Sequence, residues 1–255
     1  MSPCYDITLN PMIAPFVVDL RSVLGKDLAG LYLCGSSVSG GFDDGVSDVD
    51  LVAVVEPAVE ELDIPALEAV HGRVAYRDPR WADRLEIVYV ARATVGGIVG
   101  RDRVAVISPA EPFHVSGPAS DWLQNWYLVR ETGVALLGPP PTALFRPISE
   151  ADFLGAVRAY LQYLRGADAL GYAVLSACRA LCTLETRNAC SKQEGAAWAR
   201  DHLPEWAWLV DVALADRLSG GKRGFKEART RVEARRFLNL AAALVPPQAN
   251  PSGSR

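Results

Sequence analysis

Apolar residues recur along this 255-residue chain with two different periods, and the change of period divides it. Between residues 12 and 28, Ile13, Phe16, Val17, Leu20, Val23 and Leu24 fall on one face of a 3.6-residue turn, which predicts a helix. Short apolar runs follow at about 30–34, 49–55, 84–91 and 103–107, each of strand length. A helix is expected near 64–71, and another over about 122–138 that ends at Gly133 or shortly after. Gly-Pro-Pro-Pro at 138–141 is the sharpest break and is read as a domain boundary.

Beyond that break the period is helical throughout. Ser149-Glu-Ala-Asp152 has the form of a capping box, and Phe153, Leu154, Val157, Leu161 and Leu164 make the apolar face behind it. A second helix is expected over about 170–186. A third opens at Ser191-Lys-Gln-Glu194, another capping box, and closes before Pro204. A fourth covers about 204–218 up to Gly220-Gly221, and a last runs about 224–245 before a Pro/Ser/Gly tail from about 246. The pattern therefore predicts an α+β protein. A domain with a mixed sheet occupies 1–140 and an all-α bundle occupies 141–255. There is no internal repeat.

Composition narrows the chemistry only a little. Half the residues are hydrophobic and 22% are charged, an ordinary globular balance. A net charge of −4 argues against a nucleic-acid partner held through its phosphates, and suits a cationic small molecule better. Cysteines at 4, 34, 178, 182 and 190 follow neither a secreted disulfide framework nor a zinc spacing, so buried thiols are expected. His71, His114 and His202 share no ligand spacing. No run is long enough to span a membrane, and no basic stretch leads into an apolar one at the start. A cytoplasmic monomer is expected.

The chemistry concentrates in residues 31–55. Here an apolar strand meets Gly35-Ser36, a glycine-rich loop, and then Ser47-Asp48-Val49-Asp50 running into a second apolar strand. Side chains two apart on a strand share a face, so Asp48 and Asp50 are expected one pleat apart. Two adjacent carboxylates repel unless a cation lies between them. Mg²⁺ suits such hard oxygen ligands and keeps room for phosphates. Gly35 and Ser36 offer phosphate oxygens bare backbone and a hydroxyl, and Ser47 stands where it can help orient them. Glu86, the one acid within the apolar run 84–90, is a candidate third carboxylate and general base.

Gly-Ser, about ten residues, then Asp-x-Asp resembles the signature of the nucleotidyltransferase superfamily, with its polymerase-beta-like fold. The helical half resembles the aminoglycoside adenylyltransferases that modify streptomycin and spectinomycin. The likeness rests on Arg179 and on the Ser191-Lys192 segment running to Trp198, followed by Leu203-Pro204. Trp126-Tyr-Leu-Val-Arg-Glu-Thr-Gly133 is similar to the family's connecting segment. Where relatives have Thr-Gly before the lysine, this chain has Thr186-Arg187. The resemblance implies transfer of AMP from ATP to a hydroxyl of an aminoglycoside or aminocyclitol. Asp48, Asp50 and Glu86 would hold Mg²⁺, with Glu86 as base. Gly35, Ser36, Ser47, Arg179 and Lys192 would hold the triphosphate. The acceptor is expected in a cleft between the domains. Trp122, Tyr160, Tyr163, Asp168 and Tyr172 are candidates to face it, although packing is the more usual role for each. Two other readings are a nucleotidyltransferase for another natural product or a protein, and a catalytically silent nucleotide-binding regulator. An intact acidic set argues against the regulator, because a binder needs no base.

Overall fold

The computed structural model describes residues 10–95, 103–108, 111–117, 122–220 and 224–245. Cys4 and the tail after about residue 246 lie outside them. The chain divides into two compact units, residues 1–148 and residues 149–255.

In the first unit, helix α1 (Asn10–Leu24) leads into strand β1 (Leu28–Cys34), the short helix α2 (Ser36–Ser39) and strand β2 (Val49–Val55). Helix α3 (Ile64–Arg77) crosses to β3 (Leu85–Ala91), which is followed by β4 (Val104–Ile107) and β5 (His114–Ser116). Helix α4 (Trp122–Thr132), strand β6 (Val134–Leu137) and helix α5 (Pro141–Leu144) complete the unit. Among the described residues the strands form one sheet in the order β5-β4-β3-β2-β1-β6. Every pairing is antiparallel except β2 with β3, the pair joined through α3. That one parallel pair makes the sheet mixed, as expected.

Alternation along the strands builds a core on each face. Leu31, Leu33, Leu51, Ala53, Ile87 and Tyr89 join Phe16 and Leu20 of α1 and Leu67, Val70 and Val74 of α3. The opposite set, Tyr32, Val52, Val54, Val88 and Val90, packs with Trp126 and Val129 of α4 and with Phe145. Phe145 lies edge-on to Tyr32, with ring centroids 5.6 Å apart. Arg130 Nη1 donates to the carbonyls of Thr142, at 3.0 Å, and of Phe145. These contacts fasten the stretch after residue 141 to the sheet. The Pro-rich break at 138–141 thus lies inside the first unit.

The helix expected over 122–138 stops at Thr132, and Val134–Leu137 turns back as β6 to pair with β1. Strand β5 carries no apolar alternation and was not anticipated.

The second unit is all helix: α6 (Glu150–Tyr163), α7 (Leu170–Thr186), α8 (Lys192–His202), α9 (Ala207–Leu218) and α10 (Ala228–Leu244). α7 is apolar almost all round, the mark of a helix enclosed by others, and its residues from Ala173 to Cys178 are all buried. Two of these helices, α6 and α8, start on a side-chain cap. Ser149 Oγ accepts from the Asp152 amide, and at α8 the Ser191–Glu194 capping box is closed in both directions. No helix among the described residues is long and apolar enough to cross a membrane.

Candidate active site

The acidic residues gather where β1 ends and β2 and β3 begin. Cys34 is the register partner of Asp50 across the antiparallel pair, and Asp50 is the partner of Glu86 across the parallel pair. The three therefore share a sheet face, the one that Tyr32, Val52 and Val88 extend into the core against α4. Asp50 and Glu86 are both half-buried on adjacent strands. Strands at this spacing, about 4.8 Å, bring their carboxylates into each other's field. Cys34 registers that field. Burial pushes its thiol well above the ordinary range, and the negative charges of Asp50 and Glu86 push it further.

Gly35 is the other half of this arrangement. Its backbone sits at φ 67°, ψ −146°, a region open in practice only to glycine. A Cβ built on it would lie 1.9 Å from Asp50 Oδ2. The missing side chain is the space that the Asp50 carboxylate occupies. Behind it, Ser36 begins α2, and the buried Ser37 donates from its hydroxyl to the Cys34 carbonyl at 2.7 Å, locking the turn to the end of β1.

Asp48 stands one residue ahead of β2 and is exposed. The buried Ser47 before it serves as a fastener. Its hydroxyl accepts from the Asp43 amide at 2.9 Å, and its carbonyl accepts from Arg84 Nε and Nη2 at 3.0 and 2.7 Å. The Arg84 guanidinium in turn lies 4.5 Å from the centre of the Trp81 ring. The glycine-rich loop is thereby tied down immediately before the acids. Among the described residues no three His, Cys, Asp or Glu side chains close into a ready metal cage. The sheet registers Asp50 with Glu86, and Asp48 stands at the edge. The donor set consists of hard carboxylate oxygens, which fits Mg²⁺, an ion that takes few protein ligands and completes its shell from water and phosphate.

In the helical unit the structure brings Arg179, Lys192, Tyr160 and Tyr172 together. Gly195 allows it: a Cβ there would meet the backbone of Arg179 at 2.5 Å, so α8 crosses α7 nearly backbone to backbone at that point. Lys192, in the first turn of α8, lies with Nζ 4.3 Å from the Tyr172 ring centre. The Tyr172 and Tyr160 hydroxyls are 2.8 Å apart. Burial pushes the Tyr160 phenol far up and Tyr172 adds to it, while the positive charge of Arg179 pulls the other way. Asp168 is elsewhere, fully exposed and 3.7 Å from Arg235 Nη2 on α10. Trp122 stacks on Trp126 at 5.5 Å, a packing position. Tyr163 stacks on Tyr160 at 6.2 Å and is otherwise exposed.

Residues 143–241 match the family model described as aminoglycoside adenylyltransferase, C-terminal domain. The match falls almost wholly within the helical unit, which is thereby similar to that domain. A crystal structure of spectinomycin adenyltransferase AAD(9) from Enterococcus faecialis, with ATP and spectinomycin, matches with a TM-score of 0.73. The match covers 91% of this chain and 98% of that one at 18% sequence identity, a likeness of fold. No curated protein matches the chain by sequence.

Two features of these sites were not anticipated. Ser37 and Gly195 carry no signal in an isolated sequence, since a small residue in a turn or a helix has many uses. The Cys182–Cys190 disulfide corrects the expectation of buried free thiols at those two positions. Cys34 and Cys178 are free thiols, as expected.

Proposed function

We propose that the chain transfers AMP from ATP to a hydroxyl of an aminocyclitol or aminoglycoside, such as spectinomycin or streptomycin, and releases pyrophosphate. The observation that carries this reading is the Gly35–Asp50–Glu86 arrangement on a chain whose helical unit matches the adenylyltransferase domain.

Asp50, with Asp48 and Glu86, would hold Mg²⁺. When bound, the ion supplies charge neutralisation and orientation of the phosphates. Glu86 accepts the proton from the attacking hydroxyl, the role for which a half-buried carboxylate beside a second one suits it. Gly35 and Ser36 present backbone and hydroxyl to phosphate oxygens. Arg179 and Lys192 neutralise the negative charge that builds on pyrophosphate as it leaves. Lys192, whose ammonium lies 4.3 Å from the Tyr172 ring centre, is placed at the first turn of α8 to meet the triphosphate. The half-exposed Tyr172 presents its ring to the acceptor's ammonium groups, and the buried Tyr160 holds it in place through the paired hydroxyls.

The test is direct. Purified protein is incubated with ATP, Mg²⁺ and a panel of aminocyclitols and aminoglycosides, with pyrophosphate release and the mass of the acceptor as readouts. An acceptor heavier by one AMP, formed only with Mg²⁺ present, supports the reading. Pyrophosphate released without a modified acceptor from the panel contradicts the proposed acceptor class.

A further inference from the structure

The corner between α7 and α8 carries a feature that adenylyl transfer does not use. Cys182, one turn along α7 from Arg179, is bonded to Cys190, two residues before Lys192, and the bridge closes a loop of sequence separation 8. Inside that loop Arg187 adopts φ 59°, ψ 15°, the left-handed conformation, and it is the only non-glycine residue with positive φ among those described. An L side chain there is strained and persists only where its surroundings hold it. Locally, Asn188 Nδ2 donates to the Thr186 carbonyl at 2.9 Å, and longer-range ties add to this. Arg187 Nε pairs with Glu150 Oε1 at 2.6 Å, the Cys190 amide donates to Thr183 Oγ1 at 3.2 Å, and the disulfide ties the loop's end back to α7. The ion pair is exposed, and such pairs contribute little. The disulfide is the one covalent restraint, beside these hydrogen bonds, on the residues leading directly into the Ser191 cap and Lys192.

We propose that Cys182 and Cys190 form a thiol–disulfide switch that sets the order of this corner and, through it, the grip of Lys192 on the nucleotide. The inference rests on the role given to Lys192 in the proposed function. The co-reactant is a low-molecular-weight disulfide such as oxidised glutathione. Cys190, the less buried of the two, loses its proton to solvent and its thiolate attacks one glutathione sulfur, releasing one glutathione thiolate. The Cys182 thiolate, its proton likewise lost to solvent, then attacks the Cys190 sulfur of the mixed disulfide and expels the second. Two protein thiols are oxidised by two electrons, one disulfide is reduced to two thiols, and the two protons end on those thiols. Reduction by excess glutathione runs the same steps backwards and frees Arg187 to leave the left-handed region. The first turn of α8 then samples other positions.

The full chain is equilibrated in glutathione buffers from fully reduced to fully oxidised, and its thiols are counted by alkylation and mass. Binding of Mg·ATP is measured by calorimetry in the two end states, and amide hydrogen exchange is followed over residues 186–194. We expect the oxidised chain to bind ATP on the order of five-fold more tightly, as when reduction leaves the competent corner only about a fifth populated. Exchange at the corner should be slower in the oxidised chain. Cys190→Ser should match the reduced wild type in any buffer. Equal ATP affinity and equal exchange in the two states overturn the switch, and so does failure of the two thiols to pair in excess oxidised glutathione. Exchange that changes with redox state while ATP binds in neither state overturns the role of Lys192 but leaves the conformational element standing.

Discussion

Replacing Gly35 by alanine tests the geometry of the acidic site, and Gly40 supplies its control. Both glycines have positive φ, 67° at Gly35 and 78° at Gly40. They differ in what surrounds them. A Cβ at Gly40 would meet nothing within 4 Å, so Gly40→Ala bears only the left-handed penalty, roughly 1–2 kcal/mol. At Gly35 the backbone lies in a region that costs a non-glycine residue of order 1–3 kcal/mol. The new methyl would also sit 1.9 Å from Asp50 Oδ2 and 2.8 Å from its Cγ. The carboxylate must therefore retreat by about 1 Å, and forced repacking of this kind typically adds about 1–3 kcal/mol. The expected loss of stability is about 2–6 kcal/mol. The expected loss of turnover is on the order of 10²-fold, because a misplacement of about 1 Å in a positioning group costs that much.

Urea unfolding measures the first quantity and pyrophosphate release the second, with Gly40→Ala expected to stay within a few-fold of the parent rate. A double-mutant cycle isolates the contact. An Asp50→Ala background removes the two nearest atoms, Oδ2 and Cγ, and keeps the Asp50 Cβ at 3.1 Å. Gly35→Ala should then cost less by on the order of 1–3 kcal/mol. If Gly35→Ala proves no more harmful than Gly40→Ala in either measurement, Gly35 is not spaced against Asp50 and the argument fails.

Two further outcomes follow from the sheet. Glu86→Gln keeps size but cannot accept a proton. Mg·ATP should bind nearly as before while turnover falls by about 10²–10⁴-fold, with calorimetry and pyrophosphate release as the two readouts; collapse of ATP binding instead would make Glu86 chiefly a ligand of the ion. His71, whose Nε2 lies 3.1 Å from the Tyr89 hydroxyl, is held neutral by burial, its pKa lowered from 6.5 to about 4. The unfolded chain therefore takes up this proton first as pH falls. The stability it represents, up to about 3–4 kcal/mol, is intact above pH ~6.5, declines as pH drops towards ~4 and levels off below. Urea unfolding across that window should show the slope in the parent and a flatter profile in His71→Gln; an unchanged slope would assign it to other groups.

What could be read in advance, and what could not, follows from how far apart in sequence the deciding contacts lie. The capping boxes at Ser149 and Ser191 concern residues three apart, so the starts of α6 and α8 were legible. Residues 134–137 were not. Four apolar residues after Gly133 extend a helix as readily as they form a strand, and only the unpaired edge of β1 decides for β6. The acids show the same division. Asp48 and Asp50 announce themselves because a strand places i and i+2 on one face. Their closest structural relation is different, the register of Asp50 with Glu86 across a parallel pair whose crossover is helix α3. Parallel register carries no local mark, so Glu86 could be nominated only as an acid in an apolar run.

The α7–α8 corner goes a step further. The Cys182–Cys190 pair spans Arg187, which takes a conformation that its residue type disfavours, and nothing in the residue type foretells that. Strain of this kind is bought with a restraint elsewhere, and here the restraint is chemically reversible. The least predictable residue in the helical unit is therefore the one whose position reduction of the disulfide should alter most, five residues before the lysine assigned to the nucleotide.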